Sequence, residues 1–374
     1  MAFTGRAIYD SGVFDGVAED VSDIISMIAP YETPLLNALP QAVNEAQNVL
    51  HEWLEDDLAP NTLVSSTLSH STTAASSIEI AGGLAAYMQT GAYIENSDGS
   101  EVLQVTAVSG NYITVARAQG GTAATSYAPG YSFYVVSDAA LEGADVNQDT
   151  SRPRVRLSNY TQIIKKDIIV SGTMEAVRQL GGVGSEMDYQ RAKKTRESLR
   201  DLERALLRGK LSGNTLGSAT AYRTMKGLWD FVTTNNQSIG PTLTESWLAN
   251  VIQAAWDYGG TDVDLIICDK NFKRTIDSWN STRTRVTNAE ERFKNRVTEY
   301  ESTFGLQTVV LNRWMRANSL IITSSQRIRV LPLRNRSFRY VPVSRTGDSE
   351  KGMIIGEYTV EVRNEAGMAK AYSG

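Results

Sequence analysis

Few side chains in this sequence could act as nucleophiles, general bases or metal ligands. His51 and His70 are the only histidines, and Cys268 is the only cysteine. No H-E-x-x-H or C-x-x-C spacing groups such residues, and Cys268 ends an apolar run, 263–268, where a small core residue is expected. A hydrolase would have to use His51 or His70 as its base. The sequence therefore predicts no enzyme activity and no cofactor.

Two further segments have residue types that could bind ions. Glu52, Glu55, Asp56 and Asp57 are hard oxygen ligands suited to a divalent cation, but they lack EF-hand spacing and favour a solvated loop. The segment Gly181-Gly182-Val183-Gly184 lacks both the dinucleotide fingerprint and the Walker lysine. We therefore predict no metal site, and a hinge at the glycines before a helix.

Basic residues are concentrated in two places. Arg196, Arg200, Arg204 and Arg208 recur at every fourth position, which places them on one stripe of a helix. Six arginines and no acidic residue lie in 326–345. That second segment could bind phosphate groups, or its alternation with apolar residues could mark the solvated face of a sheet.

The composition is typical of a folded, water-soluble protein. The chain has 374 residues, of which 41% are hydrophobic and 21% charged, and a single cysteine excludes a disulfide framework. No run of about 18 apolar residues could span a bilayer, and the start lacks the apolar stretch of a signal peptide. We expect synthesis in a reducing, aqueous compartment.

The net charge of -5 conceals a strong asymmetry along the chain. Residues 1–150 contain 19 acidic and two basic residues, whereas residues 151–374 contain 23 acidic and 35 basic residues. One half could attract the other half of the same chain, or the complementary half of a second copy. Nucleic acid is the rival partner for the basic half, and an uneven solvated surface is the third alternative.

Apolar periodicity predicts a mixed α+β chain. We expect a short helix over 17–29, a Ser/Thr-rich loop or hairpin limb over 62–77, and five short strands between Ile78 and Val136. The longest helix is predicted from Ser185 to Lys210. Its buried face is expected to comprise Ala192, Leu199, Leu202, Ala205 and Leu206. A capping box at Thr242-x-x-Glu245 predicts a helix that Gly259 ends, followed by further strands and one short helix, 270–279.

Several segments, taken in order, resemble the major capsid protein of tailed bacteriophages. The similar segments are Tyr31–Pro40, Trp53–Leu58, Val105–Asn111 with Gly120-Gly121-Thr122, Asn159–Ile163, Asn312–Met315, and Gly347-Asp348 through Gly356–Val362. The resemblance is to the branch of the HK97-type fold that has a β-barrel inserted in its extended loop.

This resemblance implies a division of the chain into five parts. They are an N-terminal arm (1–48), an extended loop (49–77 and 139–172), a small inserted β-barrel (78–138), a peripheral domain with a long spine helix (173–215 and 326–374) and an axial domain (216–325).

The resemblance also implies a function. We expect self-assembly into hexamers and pentamers that form an icosahedral shell around packaged double-stranded DNA, contacted non-specifically. The expected location is the virion, after assembly in the bacterial host cytoplasm. Scaffolding, portal and decoration proteins are the further partners that the resemblance implies, and no membrane is expected. An encapsulin-like cargo compartment and a stand-alone nucleic-acid-binding protein are the alternatives.

Contacts between subunits are expected where acidic and apolar residues of one copy meet basic residues of another. Exposed ion pairs are weak individually, so apolar residues would supply most of the affinity. The candidates are Leu35, Leu36, Glu52, Trp53, Glu55, Asp56, Asp57, Arg196, Arg200, Arg204 and Arg208.

Overall fold

The computed structural model describes residues 32–40, 44–66, 73–145, 149–177, 184–213, 216–240, 242–259, 262–281, 299–345 and 347–373. They form two compact units, which we describe separately. Unit 1 comprises Met1–Trp53 and Ser158–Gly374, and unit 2 comprises Leu54–Leu157. The predicted helix over 17–29 and most of the predicted glycine hinge lie outside the described residues.

Unit 1 contains all six α-helices of the described residues. They are α1 (Pro34–Ala38), α2 (Gly172–Ala176), α3 (Glu186–Arg208), α4 (Leu228–Phe231), α5 (Glu245–Asp257) and α6 (Lys270–Ser281). The chain passes between the units in β1 (Leu50–Glu55) and β8 (Val155–Tyr160), which pair as a two-stranded sheet.

The strands of unit 1 form two larger sheets. The strands are β9 (Gln162–Ser171), β10 (Asn236–Ile239), β11 (Leu265–Cys268), β12 (Glu299–Ser302), β13 (Gly305–Leu311), β14 (Ser319–Thr323), β15 (Ile328–Pro332), β16 (Arg339–Val343), β17 (Ser349–Val362) and β18 (Ala369–Ser373). One sheet has the order β10-β18-β14-β11-β13-β12, and in the other β17 pairs with β9, β15 and β16.

The six-stranded sheet forms the largest apolar core with α5 and α6. Leu248, Val251 and Ile252 of α5 are buried against Ile266 and Ile322 of the sheet, because apolar residues recur at helical spacing on α5. The N-cap of α5 is Thr244, whose hydroxyl accepts from the N–H of Trp247, so the predicted capping box at Thr242 was wrong by two residues. Gly259, at φ +83°, ends this segment as predicted.

The second sheet packs its inner face on α3. Ile168, Met187 and Ile354 form this small core. Glycines in β17 make room for aromatic side chains of the neighbouring segment: a Cβ at Gly352 would lie 2.3 Å from Tyr340 Oη, and one at Gly356 would lie 2.5 Å from Phe338 Cδ1.

The buried side of α3 differs from the predicted one. Leu202 and Leu206 are buried as expected, but Ala192 and Leu199 are exposed. Glu203 and Leu207 are buried instead. The buried stripe is displaced toward Glu203 because α1 covers that side of the helix, and a short apolar helix far away in sequence leaves no trace in the periodicity of α3.

A buried carboxylate holds α1 on α3. Glu203 has no exposed surface, and it accepts from the N–H groups of Leu35 (2.7 Å) and Leu36 (2.9 Å) and from Asn312 Nδ2 (2.6 Å). These backbone groups belong to the first turn of α1, where N–H groups lack partners within the helix. Burial raises the pKa of Glu203, and the three N–H donors oppose that rise because they favour the charged form.

Unit 2 is a six-stranded antiparallel sheet. Its strands are β2 (Thr62–Val64), β3 (Ser77–Glu79), β4 (Ala92–Asn96), β5 (Val102–Ser109), β6 (Tyr112–Ala116) and β7 (Ser132–Asp138), in the order β2-β7-β4-β5-β6-β3. The five strands predicted between Ile78 and Val136 are confirmed, and β2 lies within the predicted Ser/Thr-rich loop. The edge strands β2 and β3 are joined by a bridge between Ser65 and Ile80, around an apolar core that includes Phe133.

A buried ion pair fixes the loop that follows β6. Glu101 is fully buried and accepts from Arg117 Nε (2.7 Å) and Nη2 (2.6 Å), and also from the Thr125 N–H (2.8 Å) and the Tyr127 hydroxyl. Burial alone would raise the pKa of Glu101, but the hydrogen bonds from Arg117, Tyr127 and two backbone N–H groups, those of Thr125 and Ala118, lower it to about 2.

Glu101→Gln is expected to destabilise unit 2 by about 3–5 kcal/mol at pH 7, because it leaves the Arg117 charge buried and unpaired. The contribution of the carboxylate is present above its unfolded pKa and is lost as pH falls toward about 2. Calorimetry of the full chain between pH 2 and 7 should show the difference between wild type and variant shrinking on acidification. A Glu142→Gln control removes an exposed carboxylate of the same unit and should change little.

Glu203→Gln is expected to destabilise unit 1 by about 1–3 kcal/mol, because one amide oxygen cannot serve the donors that the two carboxylate oxygens serve. The backbone amides of residues 35–39 should exchange faster, by the factor that corresponds to this loss of free energy. Glu197→Gln is the matched control on α3, since Glu197 makes only a partly exposed pair with Lys194 (2.9 Å). Equal protection of α1 in both variants would contradict the role of Glu203.

Candidate functional site

The predicted acidic residues lie on β1 and the segment after it. Glu52 is exposed and Glu55 is half-buried. Asp56 pairs with Arg154 (3.3 Å), and Asp57 pairs with Arg152, so these two carboxylates are partly neutralised by arginines of their own unit. No cluster of three or more potential metal ligands occurs in the part of the chain that the structure describes.

Two leucines beside these acidic residues were not singled out from the sequence. Leu54 is 60% exposed and Leu58 is 85% exposed. They flank Asp56 and Asp57 in the sequence, and we call residues 54–58 the limb segment. An exposed apolar pair beside paired charges is a feature of interaction surfaces, although single exposed leucines are common.

The predicted arginine stripe lies on α3, but an acidic residue interrupts it. Asp201 lies 4.0 Å from Arg200 and 3.7 Å from Arg204, and it also pairs with Lys166 of β9 (2.5 Å). Arg196, Arg204 and Arg208 remain solvent-exposed. The stripe is therefore less positive than its spacing suggested.

The predicted apolar contact residues are turned toward their own unit. Leu35 is fully buried, Leu36 is half-buried, and Trp53 is 6% exposed, with its ring 6.0 Å from that of Phe231. The arm is further held by the Trp314 indole N–H, which donates to the Glu32 carbonyl (2.9 Å). In this conformation Leu35 and Trp53 stabilise the fold of unit 1.

His51 belongs to a charged cluster beside β17. Its Nε2 lies 2.9 Å from Glu361 Oε2, and Arg363 pairs with the other carboxylate oxygen of Glu361. Burial alone would raise the pKa of Glu361, but the hydrogen bonds from His51 and Arg363 outweigh it and lower the pKa. The sequence could not suggest this pairing because 310 positions separate His51 from Glu361.

The arginines of 326–345 do not form one free phosphate-binding surface. Arg327 pairs with Asp262, Arg336 with Glu357 and Arg345 with Glu350, so three of the six meet carboxylates. Glu357 is buried and also accepts from Thr161 Oγ1 (2.6 Å) and Arg223 Nη2 (2.5 Å). These arginines join separate segments of unit 1.

The outer face of the second sheet exposes apolar residues. Ile163 and Ile169 of β9 and Val343 of β16 are each 45% exposed or more. Lys351 of β17 lies between Ile169 and Val343 in the strand register. The basic residues on this face are Lys165, Lys351 and Arg339.

Catalytic chemistry finds no support among the described residues. Cys268 is buried in the core, and burial raises its thiol pKa to about 12, which suppresses the thiolate needed for nucleophilic attack. His70 lies outside the described residues. None of the helices in the described ranges has the length and apolar character needed to cross a bilayer.

The chain matches the family model described as SU10 major capsid protein over residues 4–372. A curated relative, the major capsid protein of Escherichia phage Phieco32, is 38% identical over 80 residues, which are 21% of this chain and 22% of that protein. The matched stretch therefore spans less than a quarter of the relative.

Solved capsid structures share the fold at low sequence identity. The cyanophage A-1(L) capsid asymmetric unit aligns with a TM-score of 0.56 at 11% identity, covering 96% of this chain and 97% of that chain. Gordonia phage Cozz aligns with a TM-score of 0.54 at 8% identity, covering 100% and 98%. A capsid of an empty GTA particle aligns with a TM-score of 0.52 at 9% identity, covering 96% and 95%.

These matches confirm the resemblance to phage capsid proteins and do not favour the cargo-compartment alternative. The family match extends over nearly the whole chain, through both units, and the α+β fold agrees with it. The chain belongs to the SU10 major capsid protein family.

Proposed function

We propose that this chain is the shell-forming subunit of a tailed phage, and that its copies assemble into hexamers and pentamers of an icosahedral capsid around double-stranded DNA. The family match over residues 4–372 carries this proposal. The capsid fold of structures with a TM-score above 0.5 supports it. Assembly would take place in the cytoplasm of the bacterial host, with scaffolding, portal and decoration proteins as further partners.

We propose the HK97-type division of the chain within this fold. The arm is 1–48, the extended loop 49–77 and 139–172, and the inserted β-barrel 78–138. The peripheral domain is 173–215 and 326–374, with α3 as its spine helix, and the axial domain is 216–325. The bridge between Ser65 and Ile80, which joins the edge strands of unit 2, supports the barrel.

Exposed residues of the limb segment are the best candidates for contacts between copies. Leu54 and Leu58 are exposed, whereas Leu35 and Trp53 are buried within unit 1. Burying one leucine side chain contributes about 1.5–3 kcal/mol, more than an exposed ion pair. We therefore assign the apolar contribution to Leu54 and Leu58.

Charge would set the register of these contacts. Glu52, Asp56 and Asp57 of one copy would face exposed arginines of a neighbour, such as Arg196, Arg204 and Arg208 of α3. Asp56 and Asp57 already have partners within unit 2, so each new ion pair competes with an existing one. Attraction between these charges then adds only a modest preference for the correct partner. Contact with DNA would be non-specific, through the phosphate backbone.

Shell formation is tested by producing the full chain together with its viral assembly factors. Electron microscopy and static light scattering should show closed particles of uniform size. Small discrete oligomers alone would contradict the proposal.

In the same preparations, raising salt from about 0.1 M to about 1 M shortens the screening length from about 10 Å to about 3 Å. The higher salt should weaken the association between copies more than it lowers the stability of each folded copy.

Leu58→Lys is expected to weaken assembly while leaving the subunit stable. The side chain is 85% exposed, so thermal unfolding of the subunit should change little. The concentration needed for assembly should rise about tenfold or more, because an apolar contact is lost at every copy. Leu216→Lys, at a residue 64% exposed elsewhere on the chain, is the matched control. An equal effect of both variants would contradict the assignment to Leu58.

A further inference from the structure

A cleft of about 370 Å³ is lined by β1, by the segment before it and by the β15–β17 pair. Its charged and apolar walls belong to unit 1 throughout. Its lining includes His51, Trp53, Arg329, Leu331 and Glu361. Arg329 and Glu361 are direct partners in the strand register, so their side chains share one face of the sheet.

Two hydrogen-bond donors of this cleft have no acceptor among the described residues. The guanidinium of Arg329 is half-buried and makes no hydrogen bond or ion pair with any residue that the structure describes. The Trp53 Nε1 atom is buried and likewise lacks an acceptor there. A buried donor without an acceptor is costly, so the Trp53 N–H calls for an acceptor. The Arg329 guanidinium is only partly covered, so it can exchange its water for an anion in the cleft.

Glu361 does not meet this need, although it faces Arg329. One oxygen of its carboxylate is 2.9 Å from His51 Nε2, and the other pairs with Arg363. Both oxygens of the Glu361 carboxylate therefore already have donors, although Glu361 lies opposite Arg329 in the sheet. Arg329 therefore has capacity for a second carboxylate, which it can bind through two parallel N–H···O bonds.

We propose that this cleft receives the carboxylate side chain of an aspartate or glutamate from a second copy of the chain. The carboxylate would bind Arg329, with the indole N–H of Trp53 as a second donor. The proposal rests on the proposed function, since a shell places a second copy beside every subunit.

Charge favours a protein carboxylate over nucleic acid as the occupant. Glu45 and Glu52 also line the cleft, and they would repel the row of phosphates that a DNA duplex carries. A single carboxylate brings only one negative charge to Arg329. The chain itself offers many such groups, because residues 1–150 contain 19 acidic residues against two basic ones.

Zero-length crosslinking of assembled particles tests the proposal. Arg329→Lys places an amine in the cleft, and a carbodiimide joins an amine to a contacting carboxylate as an amide, becoming a urea as it takes up the water lost. Particles are assembled from equal amounts of ¹⁴N- and ¹⁵N-labelled Arg329→Lys chains and analysed by mass spectrometry. We expect mixed-label peptides that join position 329 to an aspartate or glutamate of another copy.

Two results of this experiment would overturn the proposal. One is crosslinking of position 329 only to Glu45, Glu52 or Glu361 of the same copy. The other is no crosslink at position 329 in particles whose native lysines do crosslink. Wild-type particles are prepared in parallel, so that a failure of the shell proposal itself, with no particles formed, is recognised separately.

Arg329→Met provides a second test that does not depend on crosslinking. Because Arg329 has no partner among the described residues of its own copy, the thermal unfolding of the subunit should match wild type. The concentration needed for assembly should rise about tenfold or more, since a charge-assisted contact is lost at every copy. Arg274→Met removes an exposed arginine of α6 and is the matched control.

The Arg329→Met variant also separates protein from nucleic acid as the occupant. Wild-type assembly behaviour in this variant would overturn the proposal, as would a loss of affinity of the dissociated subunit for duplex DNA with a reduced salt dependence. Reduced assembly with unchanged DNA affinity is the expected result.

Discussion

Unit 1 depends on the requirement that β17 be hydrogen-bonded along both edges. This strand runs for 14 residues and carries four fully or nearly buried side chains at its C-terminal end. It pairs with β9 along one edge and with β15 and β16 along the other. A buried strand cannot leave N–H and C=O groups without partners, so three distant segments must converge on it. The remaining contacts of this sheet follow from that convergence.

Buried carboxylates reinforce the same convergence. Glu357 of β17 accepts from Thr161, Arg223 and Arg336, and Glu361 of the same strand binds His51 and Arg363. Glu203 does the equivalent for α1. Each acid adds side-chain hydrogen bonds from segments that are distant in sequence, and its burial is tolerable because donors satisfy it. Removing one partner from such a set costs more than the pair itself contributes.

Local patterns in the sequence predicted much of the secondary structure. Helical spacing identified α3 and α5, and alternation identified five strands of unit 2, because these signals depend only on near neighbours along the chain. The Thr242 cap was wrong because Thr244 directly precedes the helix, and its hydroxyl accepts from the N–H of Trp247. Residues 192 and 199 were misplaced because the cover over α3 comes from α1, which is remote in sequence.

The burial and the partners of the site residues were harder to predict, because they depend on residues that are far away in the sequence. Leu35 meets Glu203 across 168 positions, and Asp56 meets Arg154 across 98. No periodicity in one strand or helix records such pairs. The Arg329 guanidinium and the Trp53 indole N–H are the opposite case, since neither has an acceptor among the residues that the structure describes. Such groups become visible only after every internal pair has been found.

The acidic residues of the sequence therefore have two roles: some are paired within one copy, and the others are available for contacts between copies. Internal ion pairs take up Asp57, Glu101, Glu357 and Glu361, and amide N–H groups take up Glu203. What is left for contact between copies is smaller than the count of acidic residues suggested. In the proposed shell subunit, satisfied charges would hold the fold of each copy in high salt. The remaining donors and the exposed leucines would then give contacts that form and separate during assembly.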